Sequence, residues 1–451
     1  MYLAYSLLLT LGLVVLIPYF LFQAITHGKY INGLRQRLGW IKPIHNSSKP
    51  LIWIHCVSVG ETQAARPLVA RLRSEFPEYV LVVSTITATG QTLAQEVFRT
   101  HADAIIYFPF DWAWTVRRAL KAIKPDVVLI VETELWPNFL RECGYQSIPL
   151  VLVNGRISPQ SFRRYQLIRF FLRKVLSHLS MAVMQSENDA KRISSLGIPA
   201  EKLFVTGNLK FDFDARSVSA DTTELLRNRF GIRGESSLVL AASTHGPEEK
   251  IILKSFQTLL KEQKLRLMIA PRRPERFQEV ANLIEASGLS WARRSNSEDA
   301  RDSQAEIILL DTIGELPAAY PLATVVFVGG SLVDKGGHNV LEPAMTGACV
   351  VTGHHTHNFH AIVELLVGAE AIVQLPPVAV EEAEHPLTQT LRELLIDNQR
   401  RIDLGTRARQ IVEQNQGAAD RTITLIRPFF RYSTLGNSST REVLATNSSG
   451  S

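Results

Sequence analysis

Cysteine is scarce in this chain of 451 residues. Only Cys56, Cys143 and Cys349 occur, far apart and odd in number, so the sequence indicates neither a disulfide framework nor a zinc site. A reducing compartment fits this cysteine usage best. The phosphate-binding pattern G-x-x-x-x-G-K-[ST] is also missing from the sequence. Its absence argues against a P-loop ATPase.

Charge is missing from the first apolar segment, residues 3–25, which reads LAYSLLLTLGLVVLIPYFLFQAI. Its length is close to the roughly 20 residues that a helix needs to cross a bilayer, and the sequence therefore predicts a membrane anchor over residues 1–26. A cleaved signal peptide is the main alternative, but no Lys or Arg precedes the run and no small-x-small cleavage pattern follows it. A helix lying in the membrane interface would need a polar face that the run lacks.

Positive charge follows the apolar segment directly, at Lys29, Arg35 and Arg37. The positive-inside tendency places this side in the cytoplasm, so we expect a single span in the inner membrane with the rest of the chain on its cytoplasmic face. In the whole chain, 49 Lys and Arg stand against 43 Asp and Glu. This excess suits a negatively charged partner, and by itself it leaves nucleic acid, phospholipid and acidic sugar open.

Basic and apolar residues are mixed in one stretch, residues 156–176, which reads RISPQSFRRYQLIRFFLRKVL. The pattern predicts a basic amphipathic helix. Such a helix often rests on an anionic membrane surface. An ordinary helix with a solvated face explains the same pattern, and both interpretations stay open.

Short apolar runs alternate with helical stretches beyond the anchor. The runs LIWIHCVSV, VLVVSTIT, AIIYFPF, DVVLIVET, PLVLVNG and MAVMQS precede a polar stretch near residues 213–236, and LVLAAST, LRLMIAP, EIILLDT, TVVFVGG and CVVTG follow it. Unalternating strands between helices are typical of parallel sheets covered on both faces. The sequence thus predicts an α/β protein with two doubly wound, Rossmann-like domains facing a cleft, over residues 27–215 and 216–431. Residues 432–451 lack periodicity, and we expect a disordered tail there.

Acidic residues follow two of the predicted strands of the first domain. In SVGE, Ser58 and Glu61 have the spacing of a capping box, yet a carboxylate at the carboxyl end of a strand would also lie at the mouth of a ligand site. Glu132 and Glu134 follow another strand in ETELWPN, where surface acids beside a turn are the simpler interpretation. Lys210 in GNLKFD lies near the domain boundary, and its spacing does not distinguish it from a solvated lysine.

Two clusters invite a metal interpretation. Asp212 and Asp214 form a D-x-D pair, which in some sugar-nucleotide enzymes holds a divalent metal but in a linker is more often structural. The stretch GHHTHNF contains His354, His355 and His357. Because no acids or cysteines support these histidines, we interpret the stretch as a polar loop facing a ligand.

Several strand-to-helix turns of the second domain carry glycine, capping residues or arginine. GGSLVDKGGHNVLEPA combines glycines with Asn339 and Glu342 at N-cap and N3 spacing. AASTHGPEE and DTIGEL are turns of the same kind, and APRRPERF supplies Arg272, Arg273 and Arg276. Each turn alone is explained by helix capping, but helix starts after glycines, together with arginine, also suit phosphate. Four such stretches in one domain predict nucleotide binding.

Together these stretches resemble one family, the Kdo transferases, which move 3-deoxy-D-manno-octulosonic acid (Kdo) from CMP-Kdo to lipid A precursor. The resemblance is carried by HCVSVGE, ETELWPN, GNLKFD, APRRPERF, GGHNVLEPA and the N-terminal anchor, which cover nearly the whole chain in the family's order. It implies the two-domain glycosyltransferase fold called GT-B, in which the first domain binds the acceptor and the second binds CMP.

The resemblance also implies roles for single residues. Glu61 is then the catalytic base, while Glu132 and Lys210 stabilise the transition state. The implied CMP contacts are Pro271, Arg272, Ile313, Gly314, Glu315, Asn339, Val340, Leu341 and Glu342. The chain departs from the family pattern at Arg273, where His is expected, and at His354, where Pro is expected. These departures leave the nucleotide assignment in place.

The expected reaction is an inverting transfer of Kdo from CMP-Kdo to the lipid A precursor lipid IVA in lipopolysaccharide core biosynthesis. The resemblance implies no cofactor and no metal, partners limited to CMP-Kdo, the lipid acceptor and the anionic inner membrane, and no nucleic acid. One alternative is another GT-B enzyme, a transferase or epimerase that uses a UDP-sugar. A second is an inactive, membrane-tethered protein that binds a sugar nucleotide or lipid. The sequence does not reveal how many Kdo residues are added.

Overall fold

The computed structural model describes residues 1–27, 33–44, 49–213, 219–233 and 236–430. The chain forms two compact units, one of residues Met1–Phe213 with Gln416–Ser451 and one of residues Asp214–Asn415. Lys29, Asp214 and the predicted tail over residues 432–451 lie outside the described residues.

The first unit is built around a seven-stranded sheet. Its strands are β1 Leu51–His55, β2 Val80–Thr85, β3 Ala104–Tyr107, β4 Val127–Val131, β5 Leu150–Gly155, β6 Met181–Met184 and β7 Leu203–Val205. Its helices are α1 Tyr2–His27, α2 Leu34–Arg37, α3 Val59–Glu75, α4 Ala88–Val97, α5 Ala113–Ile123, α6 Pro137–Tyr145, α7 Pro159–Leu167, α8 Arg169–Leu176, α9 Glu187–Leu196 and, near the C-terminus, α18 Ala418–Ile426.

The strands of this sheet pair in parallel in the order β3-β2-β1-β4-β5-β6-β7. β1 is flanked by β2, with Ile54 opposite Val83, and by β4, with Ile54 opposite Leu129. The strand order therefore reverses between β1 and β4. At such a switch point the connections leave in opposite directions and open a crevice at the carboxyl ends of the strands, where open α/β sheets bind ligands.

Both faces of the first sheet are buried, which explains why its strands are apolar without alternation. Successive side chains of a strand point to opposite faces. In β1, Leu51 and Trp53 belong to one core cluster, while Ile52 and Ile54 belong to the cluster on the other face. The prediction of a parallel sheet covered on both sides is confirmed for this unit.

α1 forms over the predicted anchor, but the prediction of a transmembrane helix is not supported. Among the described residues, none of the helices combines the length and the hydropathy needed to cross a membrane. Polar side chains near the start of α1 contact two other segments of the first unit, the turn before α5 and the start of α6. The Trp112 Nε1 donates to the Thr10 hydroxyl at 2.9 Å, and the Asn138 Nδ2 donates to the Ser6 hydroxyl at 3.0 Å.

The segment from Gln416 groups with the first unit, whereas the sequence placed residues up to 431 in the second domain. Long-range capping explains the difference. The carboxylate of Asp212 accepts hydrogen bonds from the amides of Gly417 at 2.6 Å and Ala419 at 2.5 Å, at the start of α18. Phe430 then packs edge-on against Phe76 of the region after α3.

The second unit repeats the architecture with its own seven-stranded parallel sheet. Its strands are β8 Ser237–Thr244, β9 Leu265–Pro271, β10 Trp291–Arg293, β11 Ile307–Leu309, β12 Val325–Val328, β13 Cys349–Thr352 and β14 Val373–Gln374. Its helices are α10 Ala220–Arg229, α11 Glu248–Leu260, α12 Phe277–Glu285, α13 Leu316–Ala319, α14 Leu341–Met345, α15 His360–Gly368, α16 Glu384–Ile396 and α17 Asn398–Asn415.

The order of the second sheet is β10-β11-β9-β8-β12-β13-β14. β8 pairs with both β9 and β12, so the order reverses between β8 and β12. The turns that follow β8, β9, β11 and β12 therefore end at one edge of the sheet, beside its switch point. Two doubly wound α/β domains were predicted, and both are present.

Candidate active site

Two predicted catalytic residues of the first unit follow the two strands at its switch point. Glu61 lies in the first turn of α3, directly after β1, and Glu132 is the first residue after β4. Because β1 and β4 are hydrogen-bonded neighbours, the sheet itself brings these two strand ends together. This is the position where open α/β sheets bind ligands.

The side chain of Glu61 turns back toward the end of β1. Its carboxylate accepts a hydrogen bond from the Val57 amide at 2.6 Å and another from the Ser58 hydroxyl at 3.0 Å. The Ser58 side chain makes no cap bond to the helix, and Glu61 accepts from the Val57 amide rather than from the amide of the N-cap residue Ser58, so neither bond of the predicted capping box forms. Glu61 is 6% exposed.

The surroundings of Glu61 favour its protonated form. Burial raises the pKa of Glu61 to about 8, although the hydrogen bond from the Val57 amide opposes the shift, and the nearby charges of Glu134 and Glu132 raise the pKa further. Burial and the charge of Glu132 also raise the pKa of Glu134 to about 7. A general base works best when its pKa lies near the operating pH, so Glu61 is suited to accept a proton.

Glu132 holds an uncommon backbone conformation. Its φ is 58°, in the left-handed region that non-glycine residues rarely adopt. Its amide donates to the Val153 carbonyl of β5 at 2.9 Å. The next residue, Thr133, hydrogen-bonds to the backbone of Arg156 in both directions, with the Arg156 amide 3.0 Å from the hydroxyl. The turn after β4 is thus fixed to β5, and such strain is characteristic of functional sites.

Lys210 belongs to a short 3₁₀ turn over residues 209–211. Its amide is capped by the Asn208 side-chain oxygen at 3.0 Å, and the preceding Leu209 amide donates to the Asn154 side-chain oxygen at 2.9 Å. Leu209 is buried in the same core cluster as Leu68 of α3, the helix that carries Glu61. The turn that carries Lys210 therefore packs against α3, the helix that carries Glu61.

One residue of the D-x-D pair, Asp212, caps α18 through two backbone amides, and Asp214 lies outside the described residues. Among the residues that the structure describes, no group of three or more His, Cys, Asp or Glu side chains could hold a metal ion. Asp212 has a structural role at the start of α18.

In the second unit, Arg272 follows β9 at the same sheet edge as the loop before α14. Its amide donates to the Thr244 carbonyl at the end of β8 at 3.0 Å, and its side chain is exposed. The pKa of His338 is lowered to about 3 by burial, by His245 and by the positive charge of Arg272. The guanidinium of Arg272 thus lies near His338, the residue before Asn339.

Asn339 and Glu342 pair at the start of α14, but the helix begins at Leu341 with Val340 as its N-cap, so Asn339 is not the N-cap that the spacing predicted. The Asn339 side-chain oxygen accepts from the Leu341 amide at 3.0 Å, and its nitrogen donates to Glu342 at 3.0 Å. Val340 and Leu341 are buried. Pro271, the last residue of β9, is likewise buried.

The turn after β11 holds the other predicted nucleotide contacts. Gly314 adopts a φ of 89°, which favours glycine, and Ile313 beside it is strongly exposed. Glu315 accepts hydrogen bonds from the Thr312 hydroxyl and from Arg294, the latter at 2.7 Å. Tyr320, which follows this turn after α13, is linked to α14: burial and Glu342 together raise the pKa of Tyr320 well above its usual value.

The residues that depart from the family pattern lie on the surface. Arg273 is exposed beside Arg272. The rings of His354 and His355 are tilted by 40° with their centroids 3.8 Å apart, and Asp334 lies 3.7 Å from His355 and 3.6 Å from His357. The sequence analysis found no acid to support these histidines, whereas the fold brings Asp334 beside two of them.

Sequence reasoning gave no functional role to three features that the structure reveals. Glu134 affects the pKa of Glu61, and it was noted in ETELWPN without a role. His245 and His338 share a hydrogen bond of 2.8 Å between their Nε2 atoms. Asn154 binds the turn of Lys210. The carboxyl-edge position of Glu134 was a usable signal, whereas the two pairings are long-range and leave no sequence pattern.

The architecture is similar to that of known sugar-nucleotide enzymes. The structure of UDP-GlcNAc 2-epimerase from Neisseria meningitidis bound to UDP-GlcNAc matches with a TM-score of 0.55 at 14% sequence identity, covering 84% of this chain and 100% of that one. This likeness concerns the fold alone. It shows that the two parallel-sheet α/β units resemble those of GT-B glycosyltransferases.

Sequence comparison identifies the family. The family described as 3-Deoxy-D-manno-octulosonic-acid transferase (kdotransferase) matches residues 32–213. A 3-deoxy-D-manno-octulosonic acid transferase of Haemophilus influenzae is 34% identical over 89% of this chain and 92% of its own length. One of Bordetella pertussis is 32% identical over 82% of this chain and 86% of its own length. The chain belongs to the Kdo transferase family and is a glycosyltransferase.

Proposed function

We propose that this chain transfers Kdo from CMP-Kdo to the lipid A precursor lipid IVA in lipopolysaccharide biosynthesis, with inversion at the anomeric carbon. The observation that carries the proposal is Glu61, a carboxylate buried at the switch point of the first unit, whose pKa burial raises to about 8. Membership of the Kdo transferase family supports the transferred group.

The reaction follows from the position of the base. A sugar hydroxyl of the acceptor attacks the anomeric carbon of Kdo, and the bond from that carbon to the phosphate oxygen breaks. CMP leaves with the electron pair, while Glu61 accepts the proton of the attacking hydroxyl. Attack opposite to the leaving group inverts the anomeric configuration.

Glu132 and Lys210 stabilise the transition state in this proposal. Lys210 is a cation that offsets the charge on the leaving phosphate or on the Kdo carboxylate. The left-handed backbone of Glu132 and the hydrogen bond from its amide to the Val153 carbonyl fix its main chain at the strand end. A main chain held in one geometry gives up little conformational freedom when the substrate binds.

The second unit binds the CMP moiety in this proposal. Arg272 is exposed at the carboxyl edge and pairs with the single phosphate as a charge-assisted donor. The turn at Gly314 and the capped start of α14 at Asn339 contact the nucleotide from neighbouring turns. One phosphate needs fewer positive charges than a diphosphate, so we propose that the transfer requires no metal.

A membrane surface supplies the lipid acceptor. α7 and α8 expose Leu167 by 87% and Phe170 by 83% among arginines, and Phe171 of α8 packs edge-on against Tyr2 of α1. The first turns of α1 expose further apolar side chains: Leu3, Leu7, Leu8 and Leu11. Apolar side chains that enter the interface, surrounded by cations that attract anionic lipid, favour peripheral binding to the inner membrane.

Product analysis tests the reaction. The purified chain is incubated with lipid IVA in detergent and with either CMP-Kdo or a UDP-sugar, and product masses are measured. The proposal expects lipid IVA heavier by one or more Kdo residues with CMP-Kdo and no product with the UDP-sugar. Turnover of the UDP-sugar alone would instead assign the chain to the alternative class of GT-B enzymes.

A further inference from the structure

Asn154 is a buried residue with a strained backbone near the end of β5. It is linked to the turns that carry Glu132 and Lys210. Its φ is 54°, in the left-handed region, and it is 1% exposed. The pairing of β5 with β6 is irregular between Leu152 and Gly155. A local bulge of this kind re-aims the side chain of the residue it contains.

The side chain of Asn154 holds the turn that carries Lys210. Its oxygen accepts the hydrogen bond from the Leu209 amide at 2.9 Å. Leu209 is fully buried, and a buried amide without an acceptor is costly. The position of residues 209–211 is therefore coupled to the presence and orientation of this one amide.

The backbone on either side of Asn154 is tied to the strand ends of the site. The Val153 carbonyl accepts from the Glu132 amide at 2.9 Å. The Asn154 carbonyl accepts from the Gln185 side chain at 3.0 Å. One residue pair, Val153 and Asn154, thus contacts the turn of Glu132 through a main-chain bond and the turn of Lys210 through a side-chain bond.

The Asn154 Nδ2 is buried and has no hydrogen-bond partner among the described residues. Left-handed strain and an unpaired buried donor both lower the stability of the fold. Glycine at this position would remove both costs. Their combination at a catalytic strand end indicates that the amide oxygen has a use that outweighs them.

We propose that Asn154 is a positioning residue of the transfer reaction, which fixes Lys210 relative to Glu132 and Glu61 through the bond from the Leu209 amide. The proposal rests on the proposed function, because it needs Lys210 to act in the reaction. Asn154 itself contacts no substrate in this account.

Asn154→Gly is the informative variant, because glycine accepts the left-handed backbone and removes only the side chain. Since misplacing a catalytic group by about 1 Å can cost about 100-fold in rate, we expect kcat to fall between about 10- and 100-fold. The affinity for CMP stays unchanged, because its proposed contacts lie in the second unit. Lys124→Gly is the matched control: Lys124 is also left-handed, with a φ of 52°, but precedes β4 at the opposite edge of the sheet, and its rate should equal that of the wild type.

A double-mutant cycle separates positioning from a general weakening of the fold. Lys210→Ala and Asn154→Gly are measured singly and together by turnover of CMP-Kdo with lipid IVA, with the melting temperature of each variant. If Asn154 acts through Lys210, the double variant is no slower than Lys210→Ala alone. If the rate losses of the two single variants multiply in the double variant, this inference is wrong. It is also wrong if Asn154→Gly keeps the wild-type kcat while Lys210→Ala is slow. Either result leaves the proposed function intact. A wild-type rate in Lys210→Ala removes Lys210 from the proposed mechanism and overturns the inference with it.

Discussion

The charge of Glu134 raises the pKa of Glu61 more strongly than the charge of Glu132 does. Burial is the largest cause of the shift, and it brings the pKa of Glu61 to about 8. Because the proposed mechanism needs Glu61 unprotonated, the rate of transfer should rise with pH through this value and level off above it.

Glu134→Gln should move that rise to lower pH. The substitution removes a negative charge near Glu61, so ionisation of Glu61 becomes easier and its pKa falls. The dependence of kcat/KM on pH, measured with saturating acceptor, checks this shift. Glu78→Gln is the control, because Glu78 is exposed before β2, at the sheet edge opposite to the site; an equal shift in both variants would refute the local coupling.

Glu61 should also make stability depend on pH. The pKa of Glu61 in the folded chain, about 8, lies above the ordinary value of 4.5. The contribution of protonated Glu61 to the free energy of unfolding is therefore fully present below about pH 4.5. That contribution is lost as pH rises through about 8. Gln cannot ionise, so we expect Glu61→Gln to gain melting temperature relative to wild type between about pH 5 and about pH 9. A difference in melting temperature that is constant over this range would contradict the buried, shifted carboxylate.

Arg272→Ala should weaken CMP binding. Loss of a charge-assisted hydrogen bond to phosphate costs about 1.5–3 kcal/mol, which corresponds to about 10- to 100-fold in Kd. Calorimetry with CMP measures the change. Arg301→Ala removes an exposed arginine that is paired with Asp299, and it should leave the affinity for CMP unchanged. Equal affinities in both variants would exclude Arg272 from the nucleotide site.

The apolar side chains of α7 and α8 should carry membrane binding. A Leu167→Glu and Phe170→Glu double variant places charge where the proposed surface enters the lipid, and it should lose most flotation with vesicles that contain anionic lipid. Ile396→Glu is the control, because Ile396 is 75% exposed at the end of α16 in the second unit. Retained flotation of the double variant would show that α7 and α8 do not contact the membrane.

The sequence predicted those features of the fold that depend on residues close together in the chain. All the apolar runs named as strands form strands, because parallel strands buried on both faces need continuous apolar residues. The strands β7, β10 and β14 have only two or three residues each, too few to show a pattern. Glu61 could be placed at a strand end from its motif, yet spacing alone could not separate a cap from a base.

Long-range contacts account for what the sequence did not reveal. Asp212 looked like half of a metal motif, but its partners at the start of α18 lie more than 200 residues away in sequence. Sequence analysis did not single out Asn154, because its left-handed backbone and its bond to the Leu209 amide become visible only in the folded chain. Such pairings depend on how helices and strands pack in the folded chain, and the spacing of residues in the sequence does not reveal that packing.

Turnover of CMP-Kdo by Glu61→Gln beside the wild type tests the central claim most directly. Both proteins are assayed with lipid IVA in detergent, product masses are followed, and CMP binding is measured in parallel. If Glu61 is the base, the variant binds CMP with wild-type affinity but forms product at least about 100-fold more slowly. A variant that keeps most of its rate would show that Glu61 only satisfies the Val57 amide and the Ser58 hydroxyl at the start of α3, and that another group accepts the proton.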